Sequence, residues 1–182
     1  MERNPQKGTR HFQAEAIRMN NQNRRTLYAR SVRYTFTQSL ALPAKEAFEW
    51  CTDYQPYDLA MMKEEGKRTI RKITEDTILL TESIPKKNKT ITRTKLVRLN
   101  RPELSWSNTH ISGPNRHSQF LYRILPEGKT RSRLFFRGLY VCYSSRPIPR
   151  KQLQRIGREE RRGDSTVWRH LAAALREENA AR

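Results

Sequence analysis

The stretch YTFTQSLALPAKEAFEW, residues 34–50, joins a strand pattern directly to a helix pattern. At its start, apolar Val32, Tyr34 and Phe36 alternate with polar residues, which is the period of a β-strand. A proline then precedes residues 44–53, where apolar side chains recur at helical spacing and give the segment one apolar face. We therefore expect the folded part of the chain to open with a strand that leads into a short helix.

Turn residues divide the rest of the chain into short segments. Residues 57–65 show a second short helix pattern, which is closed by Gly66. Six strand patterns follow, and strands separated by such short turns are typical of an antiparallel meander. Residues 151–178 then predict a long C-terminal helix, which Gly163 and Asp164 would kink or divide. The six predicted strands are 68–74, 76–84, 89–99, 104–111, 117–125 and 131–143.

This order of elements resembles the START-like helix-grip fold, also called the polyketide cyclase or SRPBCC superfamily. The resemblance rests on residues 34–50 and on Trp168, Leu171 and Leu175 of the terminal helix, and it spans residues 31–178. It implies an α+β fold in which an antiparallel sheet wraps around the long C-terminal helix, with two short helices after the first strand. These motifs are structural, so they mark a fold rather than a chemistry.

The chain is strongly basic, with 37 Lys and Arg against 18 Asp and Glu in 182 residues and a net charge of +19. The excess is unevenly spread, because residues 34–84 are slightly acidic whereas residues 85–138 contain thirteen basic and two acidic residues. Of the basic residues 26 are Arg, whose guanidinium forks onto phosphate and stacks on bases. A concentrated basic region of this kind usually faces a polyanion, so the composition favours RNA as a partner.

The strand pattern at residues 131–143 puts three arginines on one face, and neighbours on that face lie about 7 Å apart, close to a phosphate-to-phosphate step. A solvated face usually mixes charge signs, but only Glu103 and Glu127 interrupt the cations in this part of the chain. We therefore interpret the face as a phosphate-binding surface. Its predicted RNA-binding residues are Lys86, Lys87, Lys89, Arg93, Lys95, Arg98, Arg116, Arg123, Arg131, Arg133 and Arg137.

The N-terminal extension, residues 1–30, is polar and basic and has too few aliphatic side chains to bury a core of its own. We predict that it is disordered without a partner and folds on structured RNA, while residues 31–182 form the START-like domain. These features together predict a non-enzymatic RNA-binding protein, ribosomal or ribosome-associated, whose partners are ribosomal RNA and neighbouring ribosomal proteins. The predicted contacts in the extension are Arg10, Arg18, Arg24, Arg25 and Arg30.

The alternative interpretation follows from the resemblance: a START-like binding protein or cyclase-type enzyme for a hydrophobic small molecule. It requires an enclosed cavity of roughly a few hundred Å³ between sheet and helix. The aromatic residues that would line this cavity look the same in sequence if they fill it as core, and without a distinctive polar pair among them we favour core. We predict no cofactor and no enzymatic activity, although cyclase-like activity stays open because it needs no sequence motif. The aromatic residues concerned are Trp106, Phe120, Tyr122, Phe136 and Tyr140.

Other chemistries find little support in the sequence. His110 and His117 flank one turn, but no carboxylate lies near them to complete a metal site, so we predict none. Cys51 and Cys142 have apolar or aromatic neighbours and no Cys-x-x-Cys spacing, which favours buried free thiols in a reducing compartment. No signal peptide and no membrane span is visible, so we predict a cytoplasmic protein. Peripheral binding to anionic lipid is a third alternative, which the lack of a suitable amphipathic helix weakens.

Overall fold

A computed structural model describes residues 27–180 of the chain, and of residues 179 and 180 it describes the backbone alone. The elements in this range follow the order that the sequence predicts. They are β1 (Tyr28–Leu40), α1 (Ala44–Thr52), α2 (Asp58–Met61), β2 (Lys67–Thr74), β3 (Thr77–Lys86), β4 (Lys89–Asn100), β5 (Ser105–Ser112), β6 (Gln119–Pro126), β7 (Ser132–Ser144) and α3 (Arg150–Ala180).

The strands form one antiparallel sheet in the order β1-β7-β6-β5-β4-β3-β2. Strands β2 to β7 therefore form a meander, and β1 returns to pair with β7, which leaves β1 and β2 at the two edges. The long helix α3 packs chiefly against β1, and α1 contacts β6 and β7. A long C-terminal helix held against an antiparallel sheet is the helix-grip architecture, and the predicted α+β fold is confirmed.

The two-residue repeat along each strand decides which side chains enter the core. In β7, for example, Leu134 and Phe136 are buried while Arg133 and Arg137 are exposed. Burying each large apolar side chain contributes roughly 1.5–3 kcal/mol, so this alternation supplies most of the driving force for folding. The largest core residues are Tyr34, Phe36, Leu40, Phe48, Leu80, Val97, Trp106, Phe120, Ile124, Leu134, Phe136, Trp168, Leu171 and Leu175.

Two helices differ from the sequence prediction. α2 ends at Met61 instead of residue 65, because Lys63 adopts a φ of 58°, a left-handed conformation that stops a helix. α3 runs undivided through Gly163 and Asp164. Asp164 caps no new helix but accepts a hydrogen bond from the hydroxyl of Tyr34 on β1, at 2.6 Å. The packing of α3 against the sheet thus outweighs the cost of about 1 kcal/mol that a glycine carries inside a helix.

The predicted N-terminal extension falls mostly outside the range that the structure describes. β1 begins at Tyr28, slightly before the predicted domain start at residue 31. None of the described helices is long and apolar enough to cross a membrane. The predicted RNA contacts that lie outside the described residues are Arg10, Arg18, Arg24 and Arg25.

Candidate functional site

A cavity of about 170 Å³ lies between the sheet, the two short helices and α3. Much of its wall is aromatic: Trp106 and Tyr122 stack with centroids 4.7 Å apart, and Trp168 of α3 lies 5.7 Å from Tyr122. Such rings present large, rigid apolar surfaces. The other apolar lining residues are Trp50, Met62, Leu80, Phe120, Val167 and Leu171.

The cavity also has a charged wall, formed by Arg68, Arg93 and Lys95, all three of which pair with the fully buried Glu82 of β3. Arg68 on β2 and Arg93 on β4 lie directly across the sheet from Glu82 in register, and their nitrogens lie 2.8 and 2.6 Å from its carboxylate oxygens. Lys95 adds a third contact at 2.8 Å. Burial alone would raise the pKa of Glu82, but the three cations outweigh it and hold the pKa well below its usual range. We call these four residues the buried ion cluster.

Two further carboxylates balance the charge of the buried ion cluster. Arg68 also pairs with Asp58 of α2, and Arg93 reaches Glu64 at 3.2 Å. Burial raises the pKa of Asp58 to about 6, against the opposing effect of Arg68. Three cations therefore face three carboxylates when all are ionised, which offsets much of the cost of taking these charges out of water.

The buried ion cluster retains hydrogen-bond donors that these contacts do not use. The ammonium group of Lys95 has three N–H groups, and Glu82 is its ion-pair partner among the described residues. The guanidinium of Arg93 gives Nε to Glu82 and one terminal nitrogen to Glu64, so its other terminal nitrogen remains. Lys95 and Arg93 both line the cavity. They are therefore placed to donate to an oxygen atom of a molecule bound there.

His110 of β5 lies beside Lys95 in the sheet register and is only 3% exposed. Its ring packs edge-on against Phe120, with centroids 5.2 Å apart. Burial, together with the charges of Lys95 and Arg93, lowers the pKa of His110 to about 3, so its imidazole is neutral. Its Nδ1 atom is buried and has no hydrogen-bond partner within the described part of the chain. Because such a nitrogen costs stability, it marks a position where a bound molecule would supply the missing contact.

Two tyrosine hydroxyls and one amide form a neutral chain in the cavity wall. Tyr54 donates to Oδ1 of Asn108 at 3.3 Å, and Nδ2 of Asn108 donates to the hydroxyl of Tyr122 at 3.4 Å. Burial raises the pKa of both tyrosines, so both hydroxyls stay protonated. These two hydrogen bonds hold the hydroxyl of Tyr122 in place and so fix the orientation of its ring, which stacks on Trp106.

Tyr34 and Asp164 join β1 to α3 at the side of the cavity. The ring of Tyr34 lies so close to β7 that a Cβ at Gly138 would come within 2.6 Å of it, which is why a residue without a side chain is required there. Burial and the neighbouring Asp164 raise the pKa of Tyr34, and burial raises that of Asp164. Asp164 lines the cavity, so the pair holds a polar group at its wall.

The five aromatic residues singled out from the sequence divide between cavity wall and core. Trp106, Phe120 and Tyr122 line the cavity. Phe136 is 1% exposed and packs among other core rings, and Tyr140 packs against the core while half-buried. The space between sheet and helix is therefore partly filled, and the part left open is smaller than the few hundred Å³ that the alternative interpretation anticipates.

Two residues predicted to bind RNA lie inside the molecule. Arg93 and Lys95 share one side of β4 with the buried Val97 and Leu99, and both form ion pairs with Glu82. Their assignment to an outer phosphate-binding surface is wrong, because side chains two residues apart point to the same face of a strand.

The other predicted RNA-binding residues in the described part of the chain lie at the surface. Carboxylates pair with three of them, because Arg123 lies 2.7 Å from Glu103, Arg133 contacts Glu127, and Lys86 lies 3.8 Å from Glu64. The guanidinium of Arg116 lies over the ring of Tyr143. The exposed remainder are Arg30, Lys87, Lys89, Arg98, Arg131 and Arg137.

The histidines and cysteines fall into separate environments. His110 faces the cavity, whereas Nδ1 of His117 contacts the hydroxyl of Tyr143. Within residues 27–180, no cluster of three His, Cys, Asp or Glu side chains is arranged to hold a metal ion. Cys51 and Cys142 are both free thiols; Cys51 lines the cavity, and burial raises its pKa.

The sequence analysis missed Arg68, Asn108 and Asp164 of the polar lining, and it missed Glu82, with which the lining cations pair. The alternation in β3 does carry a signal for Glu82, because this residue interrupts a row of buried aliphatic side chains at every second position. A carboxylate in such a row needs a buried cation. The register of β3 with its neighbours, which the sequence does not give, shows where those cations lie. No comparable signal identifies Asp164, whose position depends on how α3 packs against β1.

Similarity to known proteins is visible in structure and not in sequence. A scan against models of known protein families and a search of curated protein sequences both found no match. The chain is similar to the Zhui aromatase/cyclase from Streptomyces sp. R1128, with a TM-score of 0.65 and 15% identity over 85% of this chain and 97% of that one. A START superfamily protein from Mycobacterium smegmatis gives a TM-score of 0.60 and 14% identity over 79% and 98%. The major latex-like protein 151 of Panax ginseng gives 0.58 and 6% over 80% and 97%.

These similarities confirm the START-like helix-grip fold and correct the functional prediction made from charge. The three proteins are described as an aromatase/cyclase, a START superfamily protein and a major latex-like protein, and none as ribosomal or RNA-binding. The prediction of a ribosomal RNA-binding protein, with ribosomal RNA and ribosomal proteins as partners, is therefore wrong. Part of the charge that suggested it belongs to the cavity wall, where Arg93 and Lys95 neutralise Glu82.

Proposed function

We propose that this protein binds a small aromatic molecule carrying an anionic or carbonyl oxygen in the cavity between the sheet and α3. The supporting observation is that stacked aromatic rings and the unused donors of Lys95 and Arg93 line one cavity. Ligand pockets typically combine an apolar lining with a few placed polar groups that fix orientation. A carrier of purely apolar ligands gains nothing from buried cations, each of which costs several kcal/mol to desolvate. An aromatic oxyanion matches both walls.

The volume of the cavity limits the size of this ligand. An apolar cavity of about 150 Å³ holds benzene, and the space here is about 170 Å³. The unaltered cavity therefore suits a ligand with a single aromatic ring or with two fused rings. A larger ligand would require α3 or the short helices to move outward.

A cavity-filling variant tests this proposal. Val167 lines the cavity and is half-buried, so Val167→Phe should occupy the ligand's volume. Leu121 lies on the outer face of the sheet, 48% exposed, and Leu121→Phe is the matched control. We expect 2-naphthoate, titrated calorimetrically into the full chain, to bind wild type and L121F alike and V167F at least about tenfold more weakly. Equal weakening in both variants, or no binding to wild type, would contradict the proposal.

Cyclase-type chemistry is a second candidate, and the neutral, unpartnered His110 supports it. A ligand with two carbonyl groups would place an acidic C–H between them. If the C–H bond breaks, its proton passes to water, because a His110 imidazole with a pKa of about 3 is too weak a base to accept it, and its electron pair moves onto the carbonyl oxygen. Lys95 and Arg93 would then stabilise the negative charge on that oxygen. The similarity in fold to a protein named an aromatase/cyclase agrees with this candidate.

Proton exchange separates this candidate from simple binding. We expect the full chain to accelerate deuterium exchange at the central carbon of benzoylacetone, followed by NMR in D₂O. His110→Phe should reduce the acceleration while 2-naphthoate still binds, because it removes a neutral imidazole N–H that can donate to the enolate oxygen. If wild type binds 2-naphthoate but exchange proceeds at the uncatalysed rate, the proposal of a binding protein stands and that of a cyclase-type enzyme is contradicted.

A further inference from the structure

A second concave surface lies in the seam between β1 and the first half of α3. It is an open groove of about 710 Å³, which we call the seam groove. The helix approaches the strand closely there, because a Cβ at Gly157 would lie 3.6 Å from Cβ of Val32. Along α3 the lining runs from Arg150 to Arg161 on one helical face, a distance of roughly 16 Å. The groove is therefore elongated and separate from the cavity.

Among the described residues, four arginines and no acidic residue line the seam groove. They are Arg33 on β1 and Arg150, Arg158 and Arg161 on α3, and all four are exposed. Across residues 27–180, the ion pairs include no carboxylate partner for any of them. Arg161 donates instead to the backbone carbonyl of Thr35 at 3.0 Å. The three arginines of α3 thus line one groove beside the β1 residue Arg33, without a carboxylate partner among residues 27–180.

Some other arginines near the surface do have carboxylate partners. On the outer face of the sheet Arg123 pairs with Glu103 at 2.7 Å, and elsewhere on α3 Arg155 lies 3.7 Å from Glu159. Converging like charges without counter-charge are unfavourable and create a positive potential that an anion relieves. Within residues 27–180, the structure therefore gives carboxylate partners to several surface arginines but to none of the arginines that line the seam groove.

We infer that the seam groove docks an acidic segment of another protein. Its length matches about five residues of extended chain, and its arginines can bind carboxylates through two nitrogens each. Val32 and Leu153 line it as half-buried apolar residues, which suits a segment in which acidic and apolar side chains alternate. A bilayer surface fits poorly, because these apolar residues are recessed between the strand and the helix and not projected outward.

A peptide-binding measurement tests this inference on the full chain. The probe is a fluorescein-labelled peptide of alternating Glu and Leu, and its control carries Gln in place of every Glu. The groove variant Arg150→Glu/Arg158→Glu is matched by Arg98→Glu/Arg137→Glu, which makes the same charge change on the outer sheet face. By fluorescence anisotropy we expect the groove variant to weaken binding at least about tenfold and the sheet variant less than about twofold. The Gln peptide should not bind measurably to wild type or to either double variant.

Several results would overturn the inference. Equal weakening by both double variants would show that the overall charge attracts the peptide. Absence of binding to wild type would show that the seam groove is not a peptide-binding site. Preferential binding of phosphatidylglycerol vesicles or polyphosphate, lost in the groove variant, would assign the groove to a different anion. Because the substituted arginines are exposed, the variants should fold, and retained 2-naphthoate binding would verify an intact domain.

Discussion

The two faces of the sheet carry the same basic side chains and use them in opposite ways. β4 supplies both, since Arg93 and Lys95 point into the cavity whereas Arg98 is exposed on the outer face. Inside, each cation contacts Glu82 at 2.6 to 2.8 Å, and outside the pairs that form are half-exposed. The comparison teaches that the side of the strand, and not the residue type, decides what a cation does in this protein.

Burial makes the ion pairs on the two faces of the sheet differ in how much they contribute to stability. Charges in water are screened, and exposed ion pairs contribute about 0–1 kcal/mol. A buried charge that loses its partner costs far more, because water cannot replace the contact. The inner cations are therefore tied to stability and to the ligand, and the outer ones mainly to the electrostatic potential of the surface.

The largest difference between the faces should appear when one carboxylate is removed from each. Glu82→Gln leaves Arg68, Arg93 and Lys95 without their shared counter-charge, and we expect a loss of about 3–5 kcal/mol in the free energy of unfolding. Glu103→Gln removes the exposed partner of Arg123 and should cost about 0–1 kcal/mol. Urea denaturation of both variants measures the contrast. Similar losses in the two would show that the buried ion cluster is not energetically distinct.

A smaller effect should distinguish the contribution of the ligand's charge to affinity from the contribution of its rings. Lys95→Met keeps the length of the side chain but removes the ammonium group, while Arg68 and Arg93 still neutralise Glu82. We expect its affinity for 2-naphthoate to fall about tenfold, and that for neutral 2-naphthamide to change less than about twofold. Calorimetric titration of both compounds checks this. An equal loss for both would mean that Lys95 shapes the cavity without recognising charge.

The smallest effect concerns Glu160 of α3. Its side chain is half-buried, between the fully buried Glu82 and the exposed Glu103. Burial, with repulsion from Asp164 and Glu159, raises its pKa from 4.5 to about 7. A raised pKa means that the folded state favours the protonated form, so its contribution is fully present below pH 4.5 and is lost as pH rises through about 7. Glu160→Gln should therefore match wild type in urea midpoint near pH 4.5 and exceed it above pH 7. A constant difference across this range would contradict the assignment.

The order of the elements along the chain was predictable because it depends on local patterns. Alternation and turn residues placed the strands and the long helix close to their observed positions. α2 was predicted too long because nothing in its sequence marks the left-handed conformation of Lys63. The role of Asp164 was unpredictable for a different reason, since it depends on contact with Tyr34, 130 residues away in sequence.

The site was harder to predict than the fold because basic residues from both sides of β4 were assigned to one surface. Arg93 and Lys95 are two residues apart and Arg98 has the opposite parity, so the three could not share one surface. Parity within β4 was available from the sequence. Pairing with Glu82 was not, because it requires the register of β3 against both neighbouring strands.

The most direct test of the account is a crystal structure of the full chain in complex with 2-naphthoate. We predict that the rings lie in the cavity against Trp106 or Trp168 and that a carboxylate oxygen lies within hydrogen-bond distance of Lys95 Nζ or a terminal nitrogen of Arg93. A ligand on the outer sheet face, or a cavity that stays empty at saturating ligand, would contradict the proposal that the buried cations serve ligand binding.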